Sequence, residues 1–169
     1  MRILPYRKAP RAQWHDYVGG AYFVTICTKD RIHHFGEVVN GVVRLNAIGE
    51  ALKCQIEQVP ASYPYAVVSK YVIMPNHVHL IVEIAVRHEI HPNSQNIVDK
   101  NPMIVGSLGT VVRGIKARVS FEVRKRYPTF EWQSRYHDHI IRNQSDRERI
   151  ANYIERNPAN WADDCFNAL

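Results

Sequence analysis

The stretch YVIMPNHVHLIVEI, from Tyr71 to Ile84, decides the fold because it places a turn signal between two strand patterns. Runs of β-branched and other apolar residues are typical of strands. Pro75-Asn76 interrupts these runs, and such a dipeptide favours a turn. The stretch therefore predicts that a strand at 65–74 turns back and pairs with an antiparallel strand at 77–84.

The second of these strands has two chemically different faces, since successive side chains of a strand point to opposite sides. One face is uniformly apolar, and we predict that it lies under the two longer helices. The other, here called the histidine face, lies on the opposite side of the sheet, where a groove can form. It carries His77, His79, Ile81 and Glu83.

The remaining strands follow from the same patterns. Strands are predicted at 21–28 and 136–142. Within 36–45, Asn40-Gly41 stands between apolar pairs, which is the signal for a type I′ hairpin.

Three helices are predicted from helical spacing of apolar residues and from residues typical of helix ends. The first is capped by Asn46 and stopped by Pro60, with Ile48, Leu52, Ile56 and Val59 on one side. The second starts at Asn101-Pro102 and carries the stripe Ile104, Leu108, Val111, Ile115 and Val119. The third spans 144–158, with Ser145 and Glu148 as a capping box and Pro158 at its end.

The resulting order is β, hairpin, α, β, β, α, β, α. This order predicts an α+β fold of ferredoxin-like type, an antiparallel sheet with helices on its faces. With 169 residues, the chain is expected to form a single domain, 1–169. Roughly the first 20 residues are expected to form an arm, and the polar stretch 86–101 an exposed loop.

Composition restricts the partners. No apolar run is long enough to span a bilayer, so no membrane partner is expected. The three scattered cysteines form neither a disulfide framework nor a zinc motif, which favours a cytoplasmic location. The net charge of +6 and the run 113–126, with six Lys or Arg against one Glu, favour a polyanionic partner. Such a basic run is also typical of a solvated helix face.

The two histidines at positions i and i+2 of one strand are spaced to bind a single cation. The alternative is a pair of half-buried histidines without a ligand. A second H-x-H pair, His137 and His139, shows that the spacing alone does not decide between these readings.

The third helix adds Ile150, Tyr153, Ile154 and Asn157 on one stripe. If this stripe docks on the histidine face, a phenol, an amide and two imidazoles converge. A core tyrosine beside a helix-ending asparagine explains the same pattern, and both interpretations stay open.

Four segments of the chain resemble those of the REP-associated tyrosine transposases, which are single-tyrosine HUH (His, hydrophobic, His) transposases. They are YVIMPNHVHLIV, GTVVRGIKARVS, WQSRYHDHIIR and RIANYIERNPANW, in the same order and at similar separations. The resemblance covers roughly Ala21 to Trp161 and implies the ferredoxin-like HUH-endonuclease fold.

The resemblance also implies roles for individual residues. Tyr153 matches the catalytic tyrosine, while His77, His79 and Asn157 match the ligands of a divalent metal, Mg or Mn. Lys116 matches a lysine of the long helix for which phosphate contact is plausible, and Arg113 and Arg142 are further candidates for binding nucleic acid. His139 matches a family histidine whose role is uncertain.

The implied activity is cleavage and strand transfer of single-stranded DNA through a 5′-phosphotyrosine, on hairpin or repeat DNA. A homodimer is one expected arrangement, because in some relatives the tyrosine helix reaches the partner's histidines. Two alternatives are a non-catalytic nucleic-acid-binding module and a metal hydrolase that uses water. The hydrolase would have His77, His79, His137 and His139 as ligands.

Overall fold

The chain is represented by a computed structural model that describes Tyr17 and residues 19–85 and 106–167. The strands within these ranges are β1 (Gly20–Cys27), β2 (Gly36–Val39), β3 (Val42–Leu45), β4 (Ala66–Met74), β5 (His77–Ile84) and β6 (His137–Ile141). The helices are α1 (Ala47–Glu57), α2 (Val59–Ser62), α3 (Leu108–Val123) and α4 (Gln144–Arg156). None of these helices is long and apolar enough to span a bilayer.

Four strands form one antiparallel sheet in the order β4-β5-β1-β6, and β2 pairs with β3 as a separate hairpin. The strands that are neighbours in the chain, β4 and β5, lie on one side of β1, and β6 lies on the other. The predicted α+β architecture with an antiparallel sheet is therefore confirmed.

The apolar face of the sheet carries the main core, as predicted. Val78, Leu80, Val82 and Ile84 are at most 4% exposed and pack with buried residues of α1 and α3. Burying each such side chain stabilises the fold by roughly 1.5–3 kcal/mol. This face consequently determines which side of the sheet is left for a site.

The histidine face is covered by α4. Ile150 and Ile154 are 3% and 1% exposed, and they pack on Ile81 of β5 in a second, smaller cluster. The predicted helical stripe thus docks on the histidine face, the arrangement needed for its polar members to meet the histidines.

Two turn and cap predictions are confirmed in detail. Asn40 and Gly41 have φ angles of 52° and 73°, the positive values that a type I′ turn requires at both central positions. The Asn46 side chain accepts hydrogen bonds from the backbone N–H groups of Ile48 and Gly49 at the start of α1.

Two predicted helix ends are wrong. Helix α1 ends at Glu57, and Pro60 lies inside the first turn of α2, where a missing N–H does no harm. The N-cap of α4 is Asn143, whose extended backbone lets its side chain accept from the Asp146 N–H at 2.8 Å. Ser145 is already helical, so Ser145 and Glu148 form no capping box.

The long helix α3 starts later than predicted. Ser107 has the extended backbone of a cap and accepts from the Thr110 N–H, while Gly106 before it has a φ angle of 93°. The predicted start at Asn101-Pro102, the stripe residue Ile104 and the loop 86–101 lie outside the described residues, as does nearly all of the N-terminal arm.

Candidate active site

The turn between β4 and β5 places His77 and His79 side by side at the end of the sheet. Their side chains are 0% and 2% exposed, and their Nε2 atoms are 3.1 Å apart. Two buried imidazoles therefore direct one nitrogen each toward a common point.

Asn76 determines which nitrogen of His77 carries a proton. Its amide Nδ2 donates to the backbone oxygens of Arg31 at 3.0 Å and Phe166 at 2.8 Å. Both amide protons are thus used, and Oδ1 accepts from His77 Nδ1 at 2.8 Å. The protonated Nδ1 leaves Nε2 of His77 as the nitrogen with a free electron pair.

Thr25 holds His79 in a different way. Its Oγ1 lies 2.8 Å from His79 Nδ1. Because a hydroxyl both donates and accepts, Thr25 accommodates either tautomer of His79. His79 can donate Nε2–H to His77, or it can turn an unprotonated Nε2 toward a cation.

Burial keeps both histidines neutral. It lowers the pKa of His77 to about 3, with a smaller contribution from the Arg31 charge. Burial likewise lowers the pKa of His79 to about 3, helped by His77 and opposed by the Asp164 carboxylate. Neutral imidazole is the form that binds metals, so a cation need not compete with protons near pH 7.

Tyr153 projects from α4 beside this pair. Its hydroxyl lies 3.4 Å from His79 Nε2, and its ring centroid is 5.2 Å from that of His79. The side chain is 43% exposed, so a substrate can reach it. Burial of its inner part, followed by the charge of Asp164, raises the pKa of the phenol. The hydroxyl is therefore protonated at neutral pH.

Asn157 ends α4 close to Tyr153 and is 3% exposed. Its Nδ2 donates to Asp164 Oδ2 at 3.2 Å, whereas its Oδ1 is buried without a hydrogen-bond partner. Two imidazole nitrogens and one amide oxygen are a donor set that suits a divalent cation. Among the described residues, no hydrogen bond satisfies this Oδ1.

The segment after α4 closes one side of the histidine pair. The Phe166 ring lies 4.5 Å from that of His77, and the Arg31 guanidinium lies 4.8 Å from the Phe166 ring centroid. The motifs indicated none of Arg31, Asp164 or Phe166. Asn76 could have been suspected, since its amide directly precedes His77.

The second histidine pair stands apart. His139 Nε2 lies 2.8 Å from Asp146 Oδ2, and both His137 and His139 are exposed. Across the described ranges, no three His, Cys, Asp or Glu side chains form a group that could hold a metal ion. The four-histidine set of the hydrolase alternative is thus not assembled among these residues.

The basic residues divide between two places. Lys116 and Arg113 lie in a groove of about 1040 Å³, here called the α3 groove, between α3 and residues 132–136. The Lys116 ammonium donates to the Gln133 backbone oxygen at 2.6 Å, and burial lowers its pKa. Arg142 is exposed just after β6, outside this groove. The groove is also lined by Phe121, Arg124, Lys125, Trp132 and Tyr136.

Comparison with known proteins finds similarity to a protein sequence and to solved structures. No protein-family model matches the chain. An uncharacterized protein of Haemophilus influenzae is 34% identical over 165 residues, which cover 94% of this chain and 92% of that protein. The structure of a REP-associated tyrosine transposase bound to a REP hairpin superposes with a TM-score of 0.58 at 21% identity, covering 94% of this chain and 74% of the other. The chain therefore belongs to the same family as the Haemophilus influenzae protein, and it has the fold of the REP-associated tyrosine transposase that its motifs resemble.

Proposed function

We propose that the protein cleaves single-stranded DNA and transfers the strand through a covalent 5′-phosphotyrosine on Tyr153. The proposal rests on one observation: the Tyr153 hydroxyl lies 3.4 Å from His79 Nε2, beside two buried neutral imidazoles whose Nε2 atoms converge. The nucleophile and the candidate metal ligands thus lie in one place. A transposase of the same fold has been solved with a REP hairpin, which supports hairpin DNA as the substrate class.

In this reaction the Tyr153 oxygen forms a bond to phosphorus, and the bond from phosphorus to O3′ breaks. The phenol loses its proton, and O3′ takes one up to become a free 3′-hydroxyl. Attack of a 3′-hydroxyl on the phosphotyrosine rejoins the strand, so no other energy source is needed.

His77, His79 and Asn157 would hold Mg²⁺ or Mn²⁺. Such a cation supplies charge stabilisation to the phosphoryl oxygens in the transition state. The protein's own contribution is to keep both imidazoles neutral and to hold Tyr153 beside them. A phenol with a raised pKa is a weak nucleophile, which is why it requires this setting.

The α3 groove supports binding of a single strand. It combines the cations Arg113, Lys116, Arg124 and Lys125 with three aromatic side chains. Basic residues follow a phosphate backbone, and aromatic rings stack on unpaired bases. Arg142 would contact phosphate separately, at the end of β6.

The test compares wild type with Tyr153→Phe on labelled single-stranded DNA from the repeats that flank the gene, with Mn²⁺. We expect a protein–DNA adduct on a denaturing gel for wild type and its complete loss in Tyr153→Phe. Tyr127→Phe is the matched control, since Tyr127 is 42% exposed against 43% for Tyr153 and lies outside the site. It should form the adduct as wild type does.

Two outcomes would contradict the proposal. Cleavage without an adduct, unchanged in Tyr153→Phe, would indicate a hydrolase that uses water. Tight DNA binding with no Mn²⁺-dependent cleavage of any repeat-derived strand would indicate a binding module.

A further inference from the structure

Asp164 lies next to the proposed site, although it belongs to none of the sequence motifs. It follows the short turn Trp161–Asp163, seven residues after Asn157. Its Oδ2 accepts from Asn157 Nδ2 at 3.2 Å, and its Oδ1 accepts from the Phe166 backbone N–H at 2.8 Å. Each carboxylate oxygen thus has its own donor, which fixes the orientation of the group.

This contact determines the orientation of the Asn157 amide. An ionised carboxylate only accepts hydrogen bonds, so it selects the Nδ2 side of the amide and excludes the oxygen side. Oδ1 must then point the other way, where it is buried without a partner. A buried acceptor in that position is unfavourable unless something binds it.

Charge gives Asp164 a second effect. Two neutral imidazoles and an amide offer a divalent cation no negative charge. Asp164 is the nearby acid whose charge acts on both His79 and Tyr153. Groups behind the direct ligands orient them and tune the affinity of a metal site in this way.

We propose that Asp164 is a positioning residue of the metal site: it holds the Asn157 amide so that Oδ1 is presented to the cation, and it supplies the charge that the ligands lack. This inference rests on the proposed function, because it takes the histidine pair and Asn157 as the ligands. It assigns to residue 164 a role in metal affinity, apart from the chemistry of Tyr153.

The test measures Mn²⁺ affinity by titration calorimetry without DNA. Asparagine offers one acceptor where aspartate offers two, so Asp164→Asn leaves either Phe166 N–H or Asn157 Nδ2 facing another donor. We expect Asp164→Asn to weaken Mn²⁺ binding about 10- to 100-fold, the range for partners of metal ligands. The neighbouring Asp163→Asn is the control and should bind as wild type does, since Asp163 is exposed.

The double variant N157D/D164N separates positioning from general stability. It keeps the net charge and the hydrogen bond but reverses the donor and the acceptor, so a carboxylate oxygen of residue 157 replaces the amide oxygen. Recovery of most of the lost Mn²⁺ affinity in this variant is the expected result. A residue that only stabilises the fold would give no such rescue, and thermal unfolding of each variant without metal checks this directly.

The outcomes distinguish this inference from the proposed function. Equal Mn²⁺ affinity of wild type and Asp164→Asn would overturn the role of Asp164 while the adduct assay still stood. Loss of affinity without rescue by N157D/D164N would also overturn it. If the wild-type protein binds no Mn²⁺, both the role of Asp164 and the proposed function are overturned. If Mn²⁺ affinity is lost in Asp164→Asn and recovered in N157D/D164N but no protein–DNA adduct forms, the role of Asp164 is supported and only the chemistry of Tyr153 is refuted.

Discussion

At the residue scale, hydrogen bonds from neighbouring side chains fix the orientation of His77 and of His79. Asn76 accepts from His77 Nδ1 and donates to two backbone oxygens, while Thr25 contacts His79. Such paired contacts hold each ring in one orientation. Because both rings are also buried, proton binding to either one requires the loss of favourable packing or solvent entry.

Acid should therefore destabilise the metal-free protein. Burial lowers the pKa of His77 and of His79 to about 3, against about 6.5 in an unfolded chain. Between these values the unfolded chain binds more protons, so stability is full above pH 6.5 and falls as the pH drops toward 3. We expect the free energy of unfolding in urea to be lower at pH 5 than at pH 7 by about 2 kcal/mol per histidine.

Two substitutions check this assignment. His79→Gln should remove about half of the change between pH 7 and pH 5, since one of the two buried imidazoles is gone. His137→Gln, on the same face but exposed, should leave the change as in wild type. An undiminished pH dependence in His79→Gln would refute the explanation.

Among the elements, α4 brings Tyr153 and Asn157 to the histidines of β5. Ile150 and Ile154 fix it to the sheet, and the ion pair of Arg147 with Glu83 ties its first turns to β5. Tyr153 and Asn157 then take their places because they stand one turn apart on the same helix.

The N-cap of α4 can be tested by alanine substitution. Asn143→Ala should lower the free energy of unfolding by about 1 kcal/mol, because the Asp146 N–H loses its acceptor. Ser145→Ala should change it by less than about 0.5 kcal/mol, as is usual for an exposed position. Denaturant unfolding of the two variants measures both values. If Ser145→Ala lowers the free energy of unfolding more than Asn143→Ala does, the capping box predicted from sequence is correct after all.

At the scale of the whole molecule, the sheet separates the main hydrophobic core from the candidate site. One face holds the main core, and the other holds the histidines, Tyr153 and Asn157. The α3 groove adds a cationic and aromatic surface beside α3. With a net charge of +6, the protein should attract DNA along this groove from a distance at low salt.

Phe121 provides a test of the groove. It is 75% exposed, with the Lys125 ammonium 4.6 Å from its ring centroid. Phe121→Ala should weaken binding of single-stranded DNA by about 1–3 kcal/mol, the range for loss of one stacked base. Fluorescence anisotropy at several salt concentrations measures this. Val42→Ala removes another exposed apolar side chain, 62% exposed, and should bind as wild type does.

Local patterns predicted most of the fold. Alternation located β5 and its two faces, and Asn40-Gly41 located the hairpin, because these signals lie within a few residues of the structure they determine. The prediction of Ser145 as the cap of α4 is wrong, because Asn143 takes that position: both residue types cap helices, and only the backbone conformation decides. Hydrogen bonds between residues far apart in the chain leave no local pattern in the sequence. Asn76, for example, donates to the backbone oxygens of Arg31 and Phe166, which are 45 and 90 residues away. The partners behind the candidate ligands therefore had to come from the structure.

The distribution of the site along the chain has a consequence for synthesis. A nascent chain that has reached Arg142 already carries both histidines but neither Tyr153, Asn157 nor Asp164. The proposed nucleophile thus emerges after both histidines, and a chain that ends at Arg142 lacks the tyrosine that the proposed DNA cleavage requires.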